Sequence, residues 1–251
     1  RAKVLAACLP ESGWYRGLSS VPVWDGSFYF NPVGLEVVLA GLRSIRHWTP
    51  HYIFSRLAEK RDQRAHPDHP WLTAEAVRFL EGYLRPSDTG LEFGSGRSTL
   101  WFARHLGHLT SVEHDLAWSE RVRQMLTAAG VSNVDYIHIS LEARSNPHAA
   151  PDYVRTVERF APASLDFALV DGRLRDECAN AVLPKMRPGG LLVVDNADIY
   201  LPSDVRTPNA RRSQQGPENA GWGQFLEAVS GWRRVWTCNG VFATALFFVP
   251  C

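Results

Sequence analysis

Beyond about residue 72 the chain alternates short apolar runs with stretches of helical period. Leu91 and Phe93 point to one buried strand, and similar runs predict strands near Leu109–Glu113, Val134–Ser140, Leu165–Asp171 and Leu191–Asp195. Between them, helices are expected near Trp118–Ala129, Glu177–Met186 and Gly223–Val229, with Pro188-Gly189-Gly190 as a stop before the fifth strand. Strand and helix in alternation predict a parallel sheet with helices on both faces. The runs Trp232–Thr237 and Val241–Val249, joined at Asn239-Gly240, read as a closing hairpin. The fold class expected is α/β, doubly wound, with an antiparallel finish.

The N-terminal part follows a different pattern. Residues 1 to about 32 are rich in Gly, Ser, Pro and aromatics without periodicity, which predicts an irregular arm. From Gly34 to about Arg64 the period turns helical: Leu35, Val38, Leu39 and Leu42, then Tyr52, Phe54 and Leu57 after a break at Pro50. Two helices are expected there. The polar run His66-Pro67-Asp68-His69-Pro70 closes this extension, and Thr73 is placed to cap a helix carrying Ala76, Val77, Leu80 and Tyr83. The division expected is an arm and helical extension over 1–70 and a second domain over 71–251. Within the latter, the connection from Ala197 to about Trp222 is long and polar, which suggests a lid over a site or a disordered loop.

Composition narrows the function. With 27 Lys and Arg against 26 Asp and Glu the net charge is +1, so no global field favours nucleic acid. No apolar run is long enough for a membrane span. The four cysteines, Cys8, Cys178, Cys238 and Cys251, form no CxxC pair and suit reduced thiols in a cytoplasmic protein. Cys178 and His138 read as packing residues. His66, His69 and Trp71 either gate a site or are solvated. Arg206, Arg211 and Arg212 either bind an anionic or sugar substrate or form a solvated charge run.

The chemistry gathers at strand ends. Gly90-Leu91-Glu92-Phe93-Gly94-Ser95-Gly96-Arg97-Ser98-Thr99 contains a strand end, a glycine turn and a helix start with Ser98 or Thr99 as cap, which together make a ligand cradle. A dinucleotide fingerprint would place a third glycine near Thr99, and none is there, which counts against an NAD-dependent oxidoreductase. Polar groups recur where open α/β sheets bind ligands: Glu92, Glu113-His114, Ser140-Leu141-Glu142, Asp171-Gly172 and Asp195-Asn196. Glu113 lies about twenty residues past the turn, the distance at which a second strand offers an acid to ribose hydroxyls.

These segments, together with Ser111-Val112-Glu113-His114-Asp115, Val170-Asp171-Gly172 and Pro188 through Asn196, resemble the class I S-adenosylmethionine-dependent methyltransferases over residues 72 to 249. The resemblance implies a Rossmann-like seven-stranded sheet with the last strand antiparallel, behind the N-terminal, mainly helical extension. It implies S-adenosylmethionine as cofactor, with Gly94, Ser95, Gly96 and Ser98 around the methionine half and Glu92 near its amino group. Glu113 would hold the ribose, His114 would lie against the adenine, Ser140 and Leu141 near the base edge, and Asp171 beside the cofactor. Asp171, Asp195 and Asn196 further resemble the magnesium or other divalent-cation site of catechol-type O-methyltransferases, with Asp171 catalytic. The usual lysine base is replaced by Gly172-Arg173-Leu174-Arg175. The function expected is methyl transfer to a hydroxyl of a small molecule or saccharide, metal-assisted or not. A catalytically inactive interaction domain is the other alternative, against which Glu92 and Glu113 both stand. Assembly into a homo-oligomer is left open.

Overall fold

The computed structural model describes residues 49–143, 145 and 149–251. The chain divides into units at Arg1–Ile45 and Arg46–Cys251, and everything described belongs to the second. The expected irregular arm and the first extension helix lie outside the described residues. The second extension helix is present as α1, Pro50–Ala65, with Thr49 accepting the Tyr52 N–H at its N-terminus.

The rest follows the alternation read from the pattern. In order come α2 (Ala74–Tyr83), β1 (Thr89–Phe93), α3 (Arg97–Ala103), β2 (His108–Glu113), α4 (Leu116–Ala128), β3 (Val134–His138) and the short α5 (Asp152–Arg155). Then follow β4 (Leu165–Val170), α6 (Arg175–Val182), β5 (Met186–Val194), the short α7 (Ala197–Tyr200), α8 (Ala220–Ala228), β6 (Arg233–Cys238) and β7 (Ala243–Phe248). Seven strands form one sheet in the order β3-β2-β1-β4-β5-β7-β6. β7 is antiparallel to both neighbours, while the β1, β2, β3, β4 and β5 pairings are parallel.

Side chains alternate across a strand, so a sheet covered on both faces needs apolar residues at every position. Strands β4 and β5 show this directly. Phe167, Leu169, Leu191 and Val193 pack with Ala76, Val77 and Leu80 of α2 and with Trp101 and Phe102 of α3. Their neighbours Ala168, Val170, Leu192 and Val194 pack on the opposite face with Cys178 and Val182 of α6 and Trp222 and Phe225 of α8. Cys178 is a core residue, as its place in a helical pattern suggested.

Three local expectations are corrected. Pro188-Gly189-Gly190 does not stop the chain before β5 but lies inside it, where pairing with β4 jumps from Leu165–Met186 to Phe167–Leu191. A residue without an N–H followed by a glycine at φ 77° makes an irregular bulge rather than a turn. Thr73 precedes α2 but makes no cap bond, because its hydroxyl is engaged by that of Thr237. Strands β3 and β4 end at His138 and Val170, short of Ser140 and Asp171, so the polar groups beyond them ride on loops.

The loops after β1 and β4 touch at two glycines. A Cβ on Gly94 (φ 89°) would lie 2.6 Å from the backbone N and Cα of Gly172. A side chain there is excluded both by its conformation and by backbone that has nowhere to go. Gly94→Ala is therefore expected to destabilise the fold by about 2–4 kcal/mol, measured by denaturant unfolding. A change below about 0.5 kcal/mol would mean that the two loops do not meet as described.

Candidate active site

The strand order places β1 between β2 and β4, where the direction of winding reverses, and the crevice beyond the carboxyl ends of these strands is the natural ligand position. Backbone bonds tie the loops together across that line. The Asp171 N–H donates to Phe93 O at 2.9 Å, Gly94 N–H to Val112 O at 2.9 Å, and Ile139 N–H to Glu113 O at 2.8 Å.

Glu92 sits near the carboxyl end of β1 with no exposed surface. Its Oε2 accepts from Thr99 Oγ1 at 2.6 Å and Ser111 Oγ at 2.5 Å. The same Thr99 hydroxyl accepts the Gly96 N–H at 3.0 Å, so one side chain links the buried acid to the glycine turn and to the start of α3. Thr99, not Ser98, thus fixes the helix start, through a back-bond to Gly96. Burial pushes the Glu92 carboxyl up to about 7, although the hydroxyls of Ser111, Ser98 and Thr99 pull against it. Its Oε1 is buried with no hydrogen-bond partner. A Cβ on Gly96 would meet only the Trp118 ring, at 3.7 Å. An orphaned carboxylate oxygen next to an open glycine turn fits an amine-bearing ligand, as the α-amino end of S-adenosylmethionine would be.

Glu113, at the end of β2, is already saturated by the protein. Oε1 accepts the N–H groups of His114 and Asp115 at 2.8 and 2.9 Å, and Oε2 accepts the Ser95 N–H and hydroxyl at 3.0 and 2.8 Å. His114 Nδ1 also stands 2.8 Å from Oε1, at ion-pair distance. Burial alone would raise this carboxyl, but His114 and the N–H donors of Asp115 and Ser95 outweigh it and hold it at about 2. Glu113 is a permanent carboxylate. Ser95 is held in turn by the Tyr136 hydroxyl at 2.8 Å and by the Trp118 indole N–H, which donates to its carbonyl at 2.9 Å. Tyr136 and Trp118 carried no motif, and nothing in the sequence singled them out.

The side chains expected to hold a metal do gather at the ends of β4 and β5, but around a guanidinium. Arg175 Nη2 donates to Asp171 Oδ1 at 2.8 Å, and Nη1 reaches Asn196 Oδ1 at 3.4 Å and the carbonyl of Asp195. The Asp195 carboxylate does not join them; its Oδ1 accepts from Thr244 Oγ1 at 2.7 Å. As folded, the three residues do not present a set of open oxygens to a divalent ion. Among the described residues no group of three or more His, Cys, Asp or Glu is placed to hold a metal. Burial raises the carboxyls of both Asp171 and Asp195, with Arg175 opposing it in each. The spacing of Arg175 four residues after Asp171 was the available signal, and it was visible only as a missing lysine.

The remaining expected residues are placed as follows. Ser140 turns its hydroxyl to Glu142 at the surface. Leu141 lines a cavity of about 270 Å3 with Gly172, Arg173, Leu174, Arg175, Tyr200 and Trp222. His138 is half-buried and bonded to the His114 carbonyl at 3.2 Å. His66 and His69 stack on each other and pair with Asp62 and Glu81, and Arg97 of the cradle stretch donates to the Pro67 carbonyl between them. The long connection is held to the sheet: Asp198 accepts the Ala243 N–H and the Thr207 hydroxyl, and its carbonyl accepts the Arg211 N–H. Arg211 and Arg212 spend their guanidinium groups on carbonyls of the same connection, Gly216 and Val205.

Comparison with known proteins agrees with this geometry. Residues 91–197, the stretch from the cradle through Asp195-Asn196, match a protein-family profile described as a methyltransferase domain. An O-methyltransferase from Bacillus cereus, solved with S-adenosylhomocysteine, superposes with a TM-score of 0.50 at 16% identity, over 80% of this chain and 91% of that one. A protein from Staphylococcus aureus, provisionally assigned as a caffeoyl-CoA O-methyltransferase, gives 0.51 at 15% identity over 85% and 98%. A methyltransferase-like protein from Silicibacter pomeroyi gives 0.49 at 24% identity over 72% and 88%. No curated protein matches the chain in sequence. The fold is the seven-stranded one of the class I methyltransferases, and the family match runs from within β1 to the start of α7. Residues 91–197 thus match a methyltransferase domain, which supports S-adenosylmethionine-dependent methyl transfer by this chain. Among the described residues no helix is long and apolar enough to cross a membrane.

Two measurements test the cradle. Glu113→Ala removes the acceptor for ribose hydroxyls and also frees Ser95, so S-adenosylmethionine should bind about 2–4 kcal/mol more weakly by calorimetry. Unchanged affinity would place the ribose elsewhere. Glu92 gives a pH signature. Because its folded pKa is raised from 4.5 to about 7, the folded state binds the extra proton between these values, and stability falls as pH rises through that window. The whole effect is on the order of 3 kcal/mol. Glu92→Gln should therefore gain stability relative to the parent as pH goes from 5 to 8. A difference between the two proteins that is flat across that range would show that Glu92 does not carry the raised pKa.

Proposed function

We propose that the protein transfers the methyl group of S-adenosylmethionine to an oxygen of a small molecule or saccharide, with Asp171 as the base. The observation that carries this reading is the state of the Asp171 carboxylate. Oδ1 is fixed by Arg175, while Oδ2 has no hydrogen bond to any described residue and the side chain keeps 28% of its surface. The carboxylate is oriented yet reachable. It lies beside Gly172, which touches the cradle at Gly94 on one side and lines the 270 Å3 cavity on the other.

The cofactor supplies an electrophilic methyl group on a sulfonium and leaves as the neutral thioether. An acceptor hydroxyl lodged in the cavity would give its proton to Asp171 Oδ2 as its oxygen pair forms the new C–O bond. Arg175 fixes Oδ1 of the carboxylate, and Leu141, Tyr200 and Trp222 line the cavity next to Gly172. The two O-methyltransferases of this fold support the choice of oxygen over other acceptor atoms only by analogy of architecture. A metal-assisted form of the reaction would require Arg175 to leave its five acceptors, and no step here depends on it.

Asp171→Asn tests the assignment. Methyl transfer from labelled S-adenosylmethionine to phenolic and sugar hydroxyls should fall about 100-fold or more, the usual worth of a positioned base, while affinity for S-adenosylhomocysteine stays within a few-fold. Full turnover in the variant would remove Asp171 from the chemistry.

A further inference from the structure

We infer that the cation position framed by Asp171, Asp195 and Asn196 is filled by the guanidinium of Arg175, so that the protein takes no divalent ion there. The inference concerns the seat itself and does not depend on which acceptor is methylated.

An arginine side chain has five N–H donors in a fixed plane. All five have acceptors here. Nε donates to the Gly172 carbonyl at 2.9 Å, Nη2 to Asp171 O at 2.7 Å and Asp171 Oδ1 at 2.8 Å, and Nη1 to the Asp195 carbonyl and Asn196 Oδ1. The acceptors come from both strand ends, β4 and β5, so the group bridges them as a bound cation would. Its flat face lies 5.6 Å from the centre of the Tyr200 ring, and only 13% of the side chain is exposed. Leu174, just before α6, adopts φ 50°, a left-handed conformation unusual for leucine, and Arg175 opens the helix immediately after it.

A divalent ion entering this position would have to displace a guanidinium from five oxygens, or sit beside a permanent positive charge. It would also have to recruit the Asp195 carboxylate, which is engaged by Thr244. The Thr244 hydroxyl is braced by the Thr73 N–H at 3.3 Å, so moving Asp195 disturbs the join between α2 and β7. Arg175 is thus a positioning residue for Asp171 that also neutralises the carboxylate.

The test is a titration of the full chain with Mn2+, followed by electron paramagnetic resonance, with and without S-adenosylhomocysteine. The parent protein should leave the free-ion signal undiminished into the millimolar range. Removing the guanidinium, by Arg175→Ala or by Arg175→Met, which keeps the aliphatic stem, should open a site for one Mn2+ that is lost again when Asp171→Asn is added. Binding of one Mn2+ by the parent, abolished by Asp171→Asn, would overturn the inference. So would a folded Arg175→Ala and a folded Arg175→Met that both bind none, since the oxygens would then form no cation seat. The parent titration decides the main claim even if neither variant folds. Calorimetry with S-adenosylhomocysteine on the same proteins reports separately on the methyltransferase assignment.

Discussion

The burial of one carboxyl group organises the site. Glu92 lies within β1 among apolar neighbours, where an unpaired charge is costly, and the protein meets that cost with the hydroxyls of Thr99 and Ser111. Each hydroxyl belongs to a different element, the first to α3 and the second to β2. Thr99 uses its remaining capacity to accept the Gly96 N–H, which sets the path of the glycine turn. The position of the turn, the start of α3 and the registry of β1 against β2 are therefore coupled through one acid. A group held near pH 7 by its surroundings is poised to become charged when a cation approaches, as an amine on the cofactor would.

The second tie is between β1 and β4. Gly94 and Gly172 let two strand-end loops come closer than any side chain would permit, and this brings Asp171 next to the cradle. Parallel neighbours end at the same level, so a sheet that binds at its carboxyl edge places acids side by side and must manage their repulsion. Glu113 is managed with backbone N–H groups and His114, whereas Asp171 is managed with an arginine. The difference has a functional sense. N–H donors consume both oxygens of Glu113, while a guanidinium fixed to one oxygen of Asp171 leaves the other available.

Much of this was legible in the chain because the relevant signals are local. The continuous apolar run Leu191–Val194, the Asn239-Gly240 turn and the Gly94/Gly96 pair are each local signals that do not need the tertiary context. The same holds for the acids at strand ends, whose spacing from the glycine turn is fixed by the length of a βα unit. Less legible were the partners. Tyr136 and Trp118 reach Ser95 only because β3 lies beside β2 and α4 begins over the turn, which no spacing reveals. Arg175 is four residues from Asp171, yet its turn back over the strand ends depends on the left-handed Leu174 and on the Asp195 carbonyl and Asn196 Oδ1 beyond another strand. The lysine position of the resembled family drew attention to what Arg175 is not. The Pro-Gly-Gly run misled because a stop signal and a bulge use the same residues, and only the β4 register separates them.

The saturation of Glu113 bears on how cofactor enters. Its four protein donors occupy both oxygens, so a ribose that reached this carboxylate would have to replace some of them. The His114 and Asp115 N–H groups belong to the strand end and the entry to α4 and cannot withdraw without unwinding it. The Ser95 donors can, because Ser95 belongs to the glycine turn and is held elsewhere only by Tyr136 and Trp118. A ribose whose hydroxyls took the place of the Ser95 donors would leave Glu113 fully paired and release the glycine turn at Ser95.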